Sequence, residues 1–458
     1  MVAELWVWMN GQHVGVWSQS RTKVSVFQYA PTWAQSPTAR ALSLSLPMTA
    51  GNAEIRGPVV ENYFDNLLPD SQPIRDRIRL RFGTPSTQAI ELLAAIGRDC
   101  VGAVQLQPPG IAPTGWDQVH SEPLTPAQVA AQLRAASTSL PLGQRHDNAQ
   151  DFRISIAGAQ EKTALLRFGG RWRRPLGSTP TTHILKLPLG LVGNMRADMH
   201  DSVENEWLCS KILRALGFHV TNTDMQTFED QKALVVERFD RRWQNIPAGA
   251  QDKRGFVPGA DTWIARLPQE DFCQIAGVAS NRKYEADGGP GIRDALTYLA
   301  GSQDANEDRA SFMLAQLAFW LLAATDGHAK NFSVFLERGT RYRMTPLYDV
   351  LSAWPIMGKG ANLFAPQDVK LAMAVHSKSA HYKLNDIRVR HWQTLAHTSG
   401  VEGLWERMLN LVHRVDKALD TVGGQLPEDF PAPVWEKIST GTKKHASQFL
   451  REAQMQAP

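Results

Sequence analysis

Residues 324–333 read Ala-Thr-Asp-Gly-His-Ala-Lys-Asn-Phe-Ser, and Tyr348-Asp349 follows a short distance later. Asp326 and Asn331 are five residues apart, and Asp349 lies 18 residues beyond Asn331. A carboxylate can accept the proton of an attacking hydroxyl, and amide and carboxylate oxygens can hold Mg²⁺. These side chains therefore carry the groups that phosphoryl transfer requires. The alternative is a turn rich in helix-capping residues, because many surface loops contain a similarly spaced Asp and Asn.

The spacing is similar to that of the protein-kinase catalytic loop, in which an Asn follows the catalytic Asp by five residues and a metal-binding Asp lies downstream. The His-Arg pair that usually precedes the first Asp is absent, and so is the Phe-Gly pair after the second. Spacing alone therefore leaves both interpretations open, and support has to come from the rest of the chain.

A small-residue turn between two short apolar segments in residues 153–166 is a candidate phosphate-binding loop. Gly158 and its Ala neighbours would let backbone N–H groups approach a phosphate closely. Lys162-Thr163 follows, but the second Gly of a Walker A loop is missing, which argues against a P-loop NTPase. The alternative is an ordinary hairpin turn.

Residues 181–188 predict a strand in which Lys186 lies inside an apolar run. A buried Lys needs a charged partner, and Glu204 and Glu206 occur in a strongly helical segment at 202–216. This layout matches the kinase Lys on a strand that pairs with a Glu on the following helix. The alternative is an edge-strand Lys whose ammonium group reaches solvent.

Residues 233–240 predict a buried strand that turns polar at its end, where a kinase hinge is expected. The backbone around Glu237 and Phe239 would hydrogen-bond adenine, and the Phe239 ring would stack on it. The alternative is a strand end with one core Phe. Phosphate loop, strand Lys, helix Glu, hinge, catalytic pair and metal Asp nevertheless occur in kinase order, which independent turns would not be expected to reproduce.

With these segments the chain resembles the HipA family, the serine/threonine kinase toxins of bacterial HipA–HipB toxin–antitoxin modules. The resemblance covers most of the chain up to about residue 373, and the tail after about Trp392 carries no recognised motif. The segments that carry the resemblance are 64–71, 96–103, 154–166, 179–183, 236–243, 267–271, 283–291, 324–335 and 348–349.

The resemblance implies roles for individual residues. Asp326 would be the general base, and Asn331 and Asp349 would hold Mg²⁺. The implied ATP contacts are Ala157, Gly158, Ala159, Gln160, Glu161, Lys162, Lys186, Glu237, Arg238, Phe239, His328, Ala329, Lys330, Asn331, Tyr348 and Asp349.

Ser155 would be an autophosphorylation site just before the phosphate loop. A phosphoserine adds a charge of about −1.5 to −2 at pH 7. Beside an anion-binding loop, this charge would repel the ATP phosphates or distort the loop, and the kinase would be inactivated. The alternative is a strand residue that hydrogen-bonds to its neighbours.

The resemblance also implies partners. A HipB-like helix-turn-helix antitoxin dimer would bind the chain and act with it as a corepressor on operator DNA. No recognition helix is evident in this chain, which argues against direct base readout. Lys378, Lys383, Arg388 and Arg390 are candidate phosphate contacts, with a solvated charged face as the alternative.

The protein substrate implied by the family is an aminoacyl-tRNA synthetase, with glutamyl-tRNA synthetase as the first expectation. Its phosphorylation would arrest growth and promote persistence, although no residue identifies this substrate. Two other functions remain open. One is a kinase of the same fold that acts on a small molecule, and the other is a catalytically silent corepressor.

Composition is typical of a globular protein. The 458 residues are 43% apolar and 21% charged, and the net charge of +4 does not by itself predict nucleic-acid binding. The only cysteines, Cys100, Cys209 and Cys273, show no metal or disulfide spacing, which favours a reducing cytoplasm. No secretory signal is evident, and the most apolar predicted helix, 312–324, is too short to span a bilayer.

The predicted fold is α+β and protein-kinase-like, with two lobes, a strand-rich N-terminal part and a mainly helical C-terminal domain. We expect an N-terminal α+β subdomain at 1–110, an N-lobe-like region at 111–255 and a helical catalytic domain at 256–458. Asn10-Gly11 predicts a hairpin turn between alternating strands, and residues 59–98 predict helices.

Overall fold

The structure is a computed structural model that describes residues 3–137, 160–192, 196–246 and 258–455. Two compact units are present. The first comprises Met1–Leu187, Gln226–Asn281 and Val334–Tyr342, and the second comprises Pro188–Met225, Arg282–Ser333 and Arg343–Pro458. Helices and strands both contribute extensively, as the α+β prediction requires. The division into three segments at residues 110 and 255 stays a prediction.

The first unit begins with a five-stranded antiparallel sheet of order β4-β3-β2-β1-β5. The predicted hairpin is confirmed, because Asn10 and Gly11 join its first two strands with φ values of 45° and 77°. Such left-handed turns match the twist of the strands that they connect. The strands are β1 (Ala3–Met9), β2 (Gln12–Gln19), β3 (Ser25–Tyr29), β4 (Ile55–Arg56) and β5 (Val104–Gln107).

Short helices cover this sheet, and the helical prediction for residues 59–98 is confirmed. The rings of Trp17 on β2 and Phe64 stack with centroids 4.0 Å apart, and both side chains are fully buried. Burial of such large aromatic side chains is a main source of core stability. The helices are α1 (Pro31–Ala34), α2 (Pro58–Asp65), α3 (Gln72–Phe82) and α4 (Ala89–Ile96).

A second antiparallel sheet in the first unit contains the strand order β13-β9-β7-β8-β6. Helix α5 packs against this sheet and buries Val129, Ala130 and Leu133 in a shared apolar core. The predicted strand around Lys186 is confirmed as β9. These elements are α5 (Pro126–Ser137), β6 (Ser121–Pro123), β7 (Lys162–Phe168), β8 (Arg171–Pro175), β9 (His183–Lys186) and β13 (Gln231–Glu237).

The C-terminal half contains more strand than predicted, although helices dominate it. The strands between residues 263 and 383 are short, and apolar runs this short do not distinguish a strand from a buried helix.

The remaining strands are β10 (Gly190–Val192), β11 (Ala197–Met199), β12 (Thr223–Phe228), β14 (Arg241–Gln244), β15 (Trp263–Arg266), β16 (Gln269–Asp271), β17 (Ser333–Leu336), β18 (Tyr342–Met344), β19 (Lys370–His376) and β20 (Ala380–Lys383).

The core of the second unit is built around a helix predicted from its apolar sequence. This helix is α9 (Ala305–Leu322), and α13 (Ala432–Met455) packs against it. The rings of His445 and Trp320 stack with centroids 4.3 Å apart. The remaining helices are α6 (Ser202–Ala215), α7 (Phe272–Ala276), α8 (Ile292–Leu299), α9 (Ala305–Leu322), α10 (Val389–Thr398), α11 (Leu404–His413), α12 (Val415–Gly423) and α13 (Ala432–Met455).

The prediction of a helix at 202–216 is confirmed by α6. The chain after Trp392, which carried no recognised motif, folds into helices that pack on α9 and on one another. Within the described ranges, no helix combines the length and the apolar character needed to cross a membrane.

Candidate functional site

The end of α9 positions the segment that contains Asp326. Ala323 terminates the helix in the left-handed conformation with φ of 49°, and the N–H of Ala324 returns to the Phe319 carbonyl at 2.7 Å. Gly327 then passes so close to the Phe319 ring that an added Cβ would lie 2.4 Å from it. Gly is therefore required at this position, and the backbone stays tight against the helix end.

The Asp326 carboxylate is oriented but accessible. Its side chain is 58% exposed, and Oδ1 accepts a hydrogen bond of 2.5 Å from the Tyr284 hydroxyl. The Nε2 atom of His328 lies 3.8 Å from the same oxygen. An exposed carboxylate held in this way can receive a proton from a hydroxyl group that reaches it.

Asn331 lies on a buried turn at Ala329–Asn331 and is only 3% exposed. Its Nδ2 atom donates a hydrogen bond of 3.3 Å to the Asp349 carbonyl. Its Oδ1 atom is buried and has no hydrogen-bond partner among the described residues. A buried polar atom without a partner is costly and calls for an explanation, and an oxygen ligand to a cation would provide one.

The segment that contains Asp349 is attached to the same loop. The Tyr348 hydroxyl donates to the Lys330 carbonyl at 2.9 Å, and the preceding Leu347 forms a parallel bridge with Val220. Asp349 has φ of 59°, which is rare for a residue other than Gly. The second unit therefore brings together the predicted site residues His328, Ala329, Lys330, Asn331, Tyr348 and Asp349.

These atoms fit a magnesium ion that is held partly by a nucleotide. Mg²⁺ commonly uses one or two protein carboxylates together with substrate phosphates rather than a complete protein cage. No group of three or more His, Cys, Asp and Glu residues with metal-binding geometry occurs among the described residues. Asn331 Oδ1 and the Asp349 carboxylate are the candidate protein ligands.

The first unit contains the other predicted ATP contacts. Lys162 on β7 is directly opposite Lys186 on β9, and Lys186 is only 6% exposed. Gln160 donates to the Leu187 carbonyl at 2.5 Å, and Glu161 forms an ion pair with Arg77. The predicted loop residues Ala157, Gly158 and Ala159, and the predicted phosphorylation site Ser155, lie outside the described residues.

The predicted hinge follows β13. Glu237 at the strand end is paired with His183 of β9, and the Phe239 ring packs edge-on against Phe335 with centroids 5.7 Å apart. The Arg238 N–H donates to the Thr182 carbonyl at 2.9 Å. The Arg238 guanidinium points into a buried ion cluster whose other members are Asp99, Asp240, Arg241 and Arg266. Any contact of Arg238 with a nucleotide therefore has to come from its backbone.

This buried ion cluster was not anticipated from the sequence. Asp99 accepts hydrogen bonds from Thr181 and from the guanidinium groups of Arg238 and Arg241, at 2.7 to 3.3 Å. Arg266 lies 3.4 Å from Asp99. Burial alone would raise the pKa of Asp99, but Arg241, Arg238 and Arg266 outweigh this effect and hold it well below its usual range.

Asp240 completes the buried ion cluster. It accepts hydrogen bonds from Arg238 at 2.8 Å and from the Gly102 N–H at 2.7 Å. Most of these residues fall within the quoted segments 96–103, 179–183 and 236–243. The charged residues in 96–103 and 236–243 were the available signal, but pairing between Asp99 and Arg238 across 139 residues has no local signature.

The candidate DNA-contacting residues lie on or beside β19 and β20 and at the start of α10. Lys378 is exposed, whereas Lys383 lies 3.7 Å from Asp368 and Arg388 lies 3.7 Å from Glu452. The Nε of Arg390 donates to His391 at 3.3 Å. Two of the four cations are therefore partly neutralised by nearby carboxylates.

Comparisons with known proteins cover nearly the whole chain. The profile of the HipA N-terminal domain matches residues 5–107, and that of the HipA-like C-terminal domain matches residues 154–422. Y4mE, a candidate kinase of Sinorhizobium fredii, is 30% identical over 423 residues, which is 91% of each chain. The serine/threonine-protein kinase toxin HipA of Shewanella oneidensis is 27% identical over 366 residues, covering 76% of this chain and 72% of that protein.

A solved structure has the same fold. HipA in the complex of the Shewanella oneidensis MR-1 toxin–antitoxin proteins HipA and HipB with operator DNA aligns with a TM-score of 0.77 at 22% identity, and 98% of both chains is covered. This likeness confirms the kinase-like α+β fold predicted from the sequence. The chain therefore belongs to the HipA family, whose Shewanella oneidensis member is named a serine/threonine-protein kinase toxin.

Proposed function

We propose that the chain is a serine/threonine protein kinase that transfers the γ-phosphate of ATP to a hydroxyl group of a protein. The observation that carries this proposal is the buried Asn331 Oδ1, which has no partner among the described residues and lies on the same short loop as the exposed Asp326 carboxylate. The Asn331 oxygen suits a cation ligand, and the Asp326 carboxylate suits a proton acceptor. Phosphoryl transfer needs both a bound cation and a proton acceptor.

In this mechanism, Asp326 accepts the proton of the attacking Ser or Thr hydroxyl. Asn331 and Asp349 would hold Mg²⁺, which when bound would neutralise charge on the ATP phosphates. The hydrogen bond from Asn331 Nδ2 to the Asp349 carbonyl fixes the distance between the two ligand-bearing segments. Because these groups are positioned before the substrates bind, little reorganisation is required during the reaction.

ATP is the proposed cofactor. Lys162 and Lys186 would neutralise phosphate charge, and the backbone of Glu237, Arg238 and Phe239 would bind adenine. The further proposed contacts are Ala157, Gly158, Ala159, Gln160, Glu161, His328, Ala329, Lys330, Asn331, Tyr348 and Asp349. For residues 157–159, and for autophosphorylation at Ser155, the support is family membership.

The proposed setting is a bacterial toxin–antitoxin module. A HipB-like antitoxin dimer would bind this chain, and the complex would repress transcription on operator DNA. The support is the fold shared with HipA in the Shewanella oneidensis complex of HipA, HipB and operator DNA. The proposed substrate is an aminoacyl-tRNA synthetase, with glutamyl-tRNA synthetase tested first, and its phosphorylation would arrest growth and promote persistence.

The test is incubation of purified, dephosphorylated protein with γ-labelled ATP, Mg²⁺ and candidate synthetases. The wild type should label a protein, whereas Asp326→Asn should not, because it lacks the proton acceptor. Asp386→Asn, an exposed residue of the same unit, is the matched control and should retain activity. Loss of self-labelling in Ser155→Ala would support the autophosphorylation site.

The result that overturns the proposal is an ATP-binding wild type that labels no protein. Label in small metabolites from a cell extract would then favour a small-molecule kinase. Retained operator repression in the absence of any transfer would favour a catalytically silent corepressor.

A further inference from the structure

The segment 283–291, Lys-Tyr-Glu-Ala-Asp-Gly-Gly-Pro-Gly, has no assigned role in the proposed reaction. Its Tyr284 hydroxyl donates a hydrogen bond of 2.5 Å to Oδ1 of Asp326. We propose that Tyr284 is a positioning residue that holds the Asp326 carboxylate so that Oδ2 faces the protein hydroxyl to be phosphorylated. This inference rests on the proposed kinase function.

The need for such a residue follows from the exposure of Asp326. A carboxylate that is 58% exposed can rotate about its terminal bond unless a partner fixes it. Oδ1 has two neighbours, the Tyr284 hydroxyl and the more distant His328 Nε2, whereas Oδ2 makes no hydrogen bond with any residue of the described chain. One oxygen is therefore held, and the other is left to accept a proton.

Tyr284 is itself held by contacts with the loop that follows Asp326. Its ring meets the His328 ring edge-on, with centroids 5.1 Å apart and an interplanar angle of 85°. The adjacent Lys283 carbonyl accepts a hydrogen bond of 3.1 Å from the N–H of Ala329, which is fully buried. The backbone hydrogen bond of Lys283 and the ring contact with His328 therefore both hold Tyr284 beside Asp326.

Glu285 anchors the other side of Tyr284. Its carboxylate accepts hydrogen bonds of 2.6 Å from the Ala374 N–H and 2.6 Å from His376 Nε2, both on β19. Gly291 packs against this carboxylate so closely that a Cβ would lie 2.4 Å from it. Residues 283–285 therefore connect β19 to the loop that contains Asp326 and Ala329. These contacts leave the Tyr284 hydroxyl little freedom.

An opposite role for the same contact would be inhibition, in which the Tyr284 hydroxyl occupies the place of the acceptor hydroxyl. A carboxylate has two oxygens and room for several hydrogen bonds, so the tyrosine and a substrate hydroxyl can bind it together. Inhibition also requires the hydroxyl to move away during each turnover. The anchors on both sides of Tyr284 oppose such movement, and they favour positioning.

The test compares steady-state kinetics of protein phosphorylation by the wild type and by Tyr284→Phe, which removes only the hydroxyl. We expect kcat to fall roughly ten- to a hundred-fold, because the proton acceptor is no longer held in line. KM for ATP should stay unchanged, since the hydroxyl bonds to Asp326, which is proposed to act on the protein hydroxyl and not on ATP. Tyr298→Phe, on α8 of the same unit, is the control and should behave as the wild type.

Folding of the variant is checked by its thermal unfolding midpoint and by ATP binding, which should both match the wild type. Tyr284→Leu, which also removes the ring, should lower kcat at least as much as Tyr284→Phe. Unchanged kcat in Tyr284→Phe, or a rise in kcat, overturns the positioning role while the kinase proposal survives. Absence of transfer by the wild type overturns both, and the two failures are therefore distinguishable.

Discussion

The side-chain amide of Asn331 donates a hydrogen bond of 3.3 Å to the backbone carbonyl of Asp349. Because Nδ2 is engaged in this hydrogen bond, the orientation of the side-chain amide is defined. Oδ1 is then the atom without a partner among the described residues. The Tyr348 hydroxyl adds a second bond to the same loop at the Lys330 carbonyl. The proposed metal ligands are therefore arranged by the protein alone.

Replacement of Asn331 by Ala should raise the Mg²⁺ concentration required for half-maximal activity. Loss of even an outer-shell partner costs a metal site about ten- to a hundred-fold in affinity, and loss of a ligand should cost at least as much. The measurement is a Mg²⁺ titration of kinase activity. Asn385→Ala removes an exposed amide of the same unit and serves as the control. An unchanged titration curve for Asn331→Ala would contradict the assignment.

Asp326→Asn should lower kcat by about 10²- to 10⁴-fold, the usual contribution of a general base. ATP affinity should change little, because the substitution keeps the size of the side chain and the residue is proposed to act on the protein hydroxyl. Single-turnover transfer and ATP binding by calorimetry separate the two effects. Activity within a factor of two of wild type would exclude Asp326 as the proton acceptor.

Asp99→Asn should destabilise the first unit by about 3–5 kcal/mol at neutral pH, because Asp240 is then the one carboxylate of the buried ion cluster left to balance its three arginines. The arginines hold the folded-state pKa of Asp99 below its usual range. The stabilisation by this carboxylate is therefore complete above its unfolded pKa of about 3.9 and is lost as the pH falls toward the lower folded value.

Urea unfolding at several pH values tests this prediction for Asp99. Wild-type stability should decline steeply below pH of about 4, and the variant should decline less. Asp368→Asn, whose side chain is 68% exposed, should change stability by less than about 0.5 kcal/mol. Equal acid sensitivity of the wild type and Asp99→Asn would contradict the role of the buried ion cluster.

Glu270 should make the first unit less stable at alkaline pH. Burial raises its pKa to about 8, although hydrogen bonds from Ser43 and from the Leu44 N–H oppose the shift. Because the folded pKa lies above the unfolded value of about 4.3, the stability contribution is complete below that value and is lost as the pH rises through 8.

Glu270→Gln keeps the shape of this side chain and cannot ionise. Its unfolding midpoint should therefore fall less between pH 5 and 9 than that of the wild type, with the largest difference at the alkaline end. Thermal scans across this range measure the effect, and Glu406→Gln on α11 provides a control. A parallel pH dependence for wild type and Glu270→Gln would show that the carboxyl titrates normally.

Lys378→Ala should reduce the salt dependence of operator binding by the complex with a HipB-like antitoxin. Loss of one phosphate contact lowers the slope of log K against log salt by about 1. Lys383→Ala should have a smaller effect, because Asp368 lies 3.7 Å from its ammonium group. The measurement is fluorescence anisotropy at several salt concentrations, and identical slopes for all variants would remove this surface from the DNA interface.

Local features of the fold were predictable because their causes are local. The Asn10-Gly11 turn follows from the readiness of these two residues to adopt positive φ, and the bounds of α6 follow from its helical periodicity. The spacing of Asp326 and Asn331 likewise identifies a candidate site without knowledge of the fold. The two strands at β19 and β20 were missed, since short apolar runs suit either type of element.

The amino-acid sequence by itself determined the family, the kinase-like order of motifs and the residues proposed to act on ATP. Only the tertiary structure decided which side chains meet: Tyr284 with Asp326 across 42 residues, Arg238 with Asp99 across 139, and Trp320 with His445 across 125. The physical reason is that secondary structure depends on neighbours in the chain. Hydrogen bonds and ion pairs between distant residues depend on how the whole unit packs, and no local pattern records them.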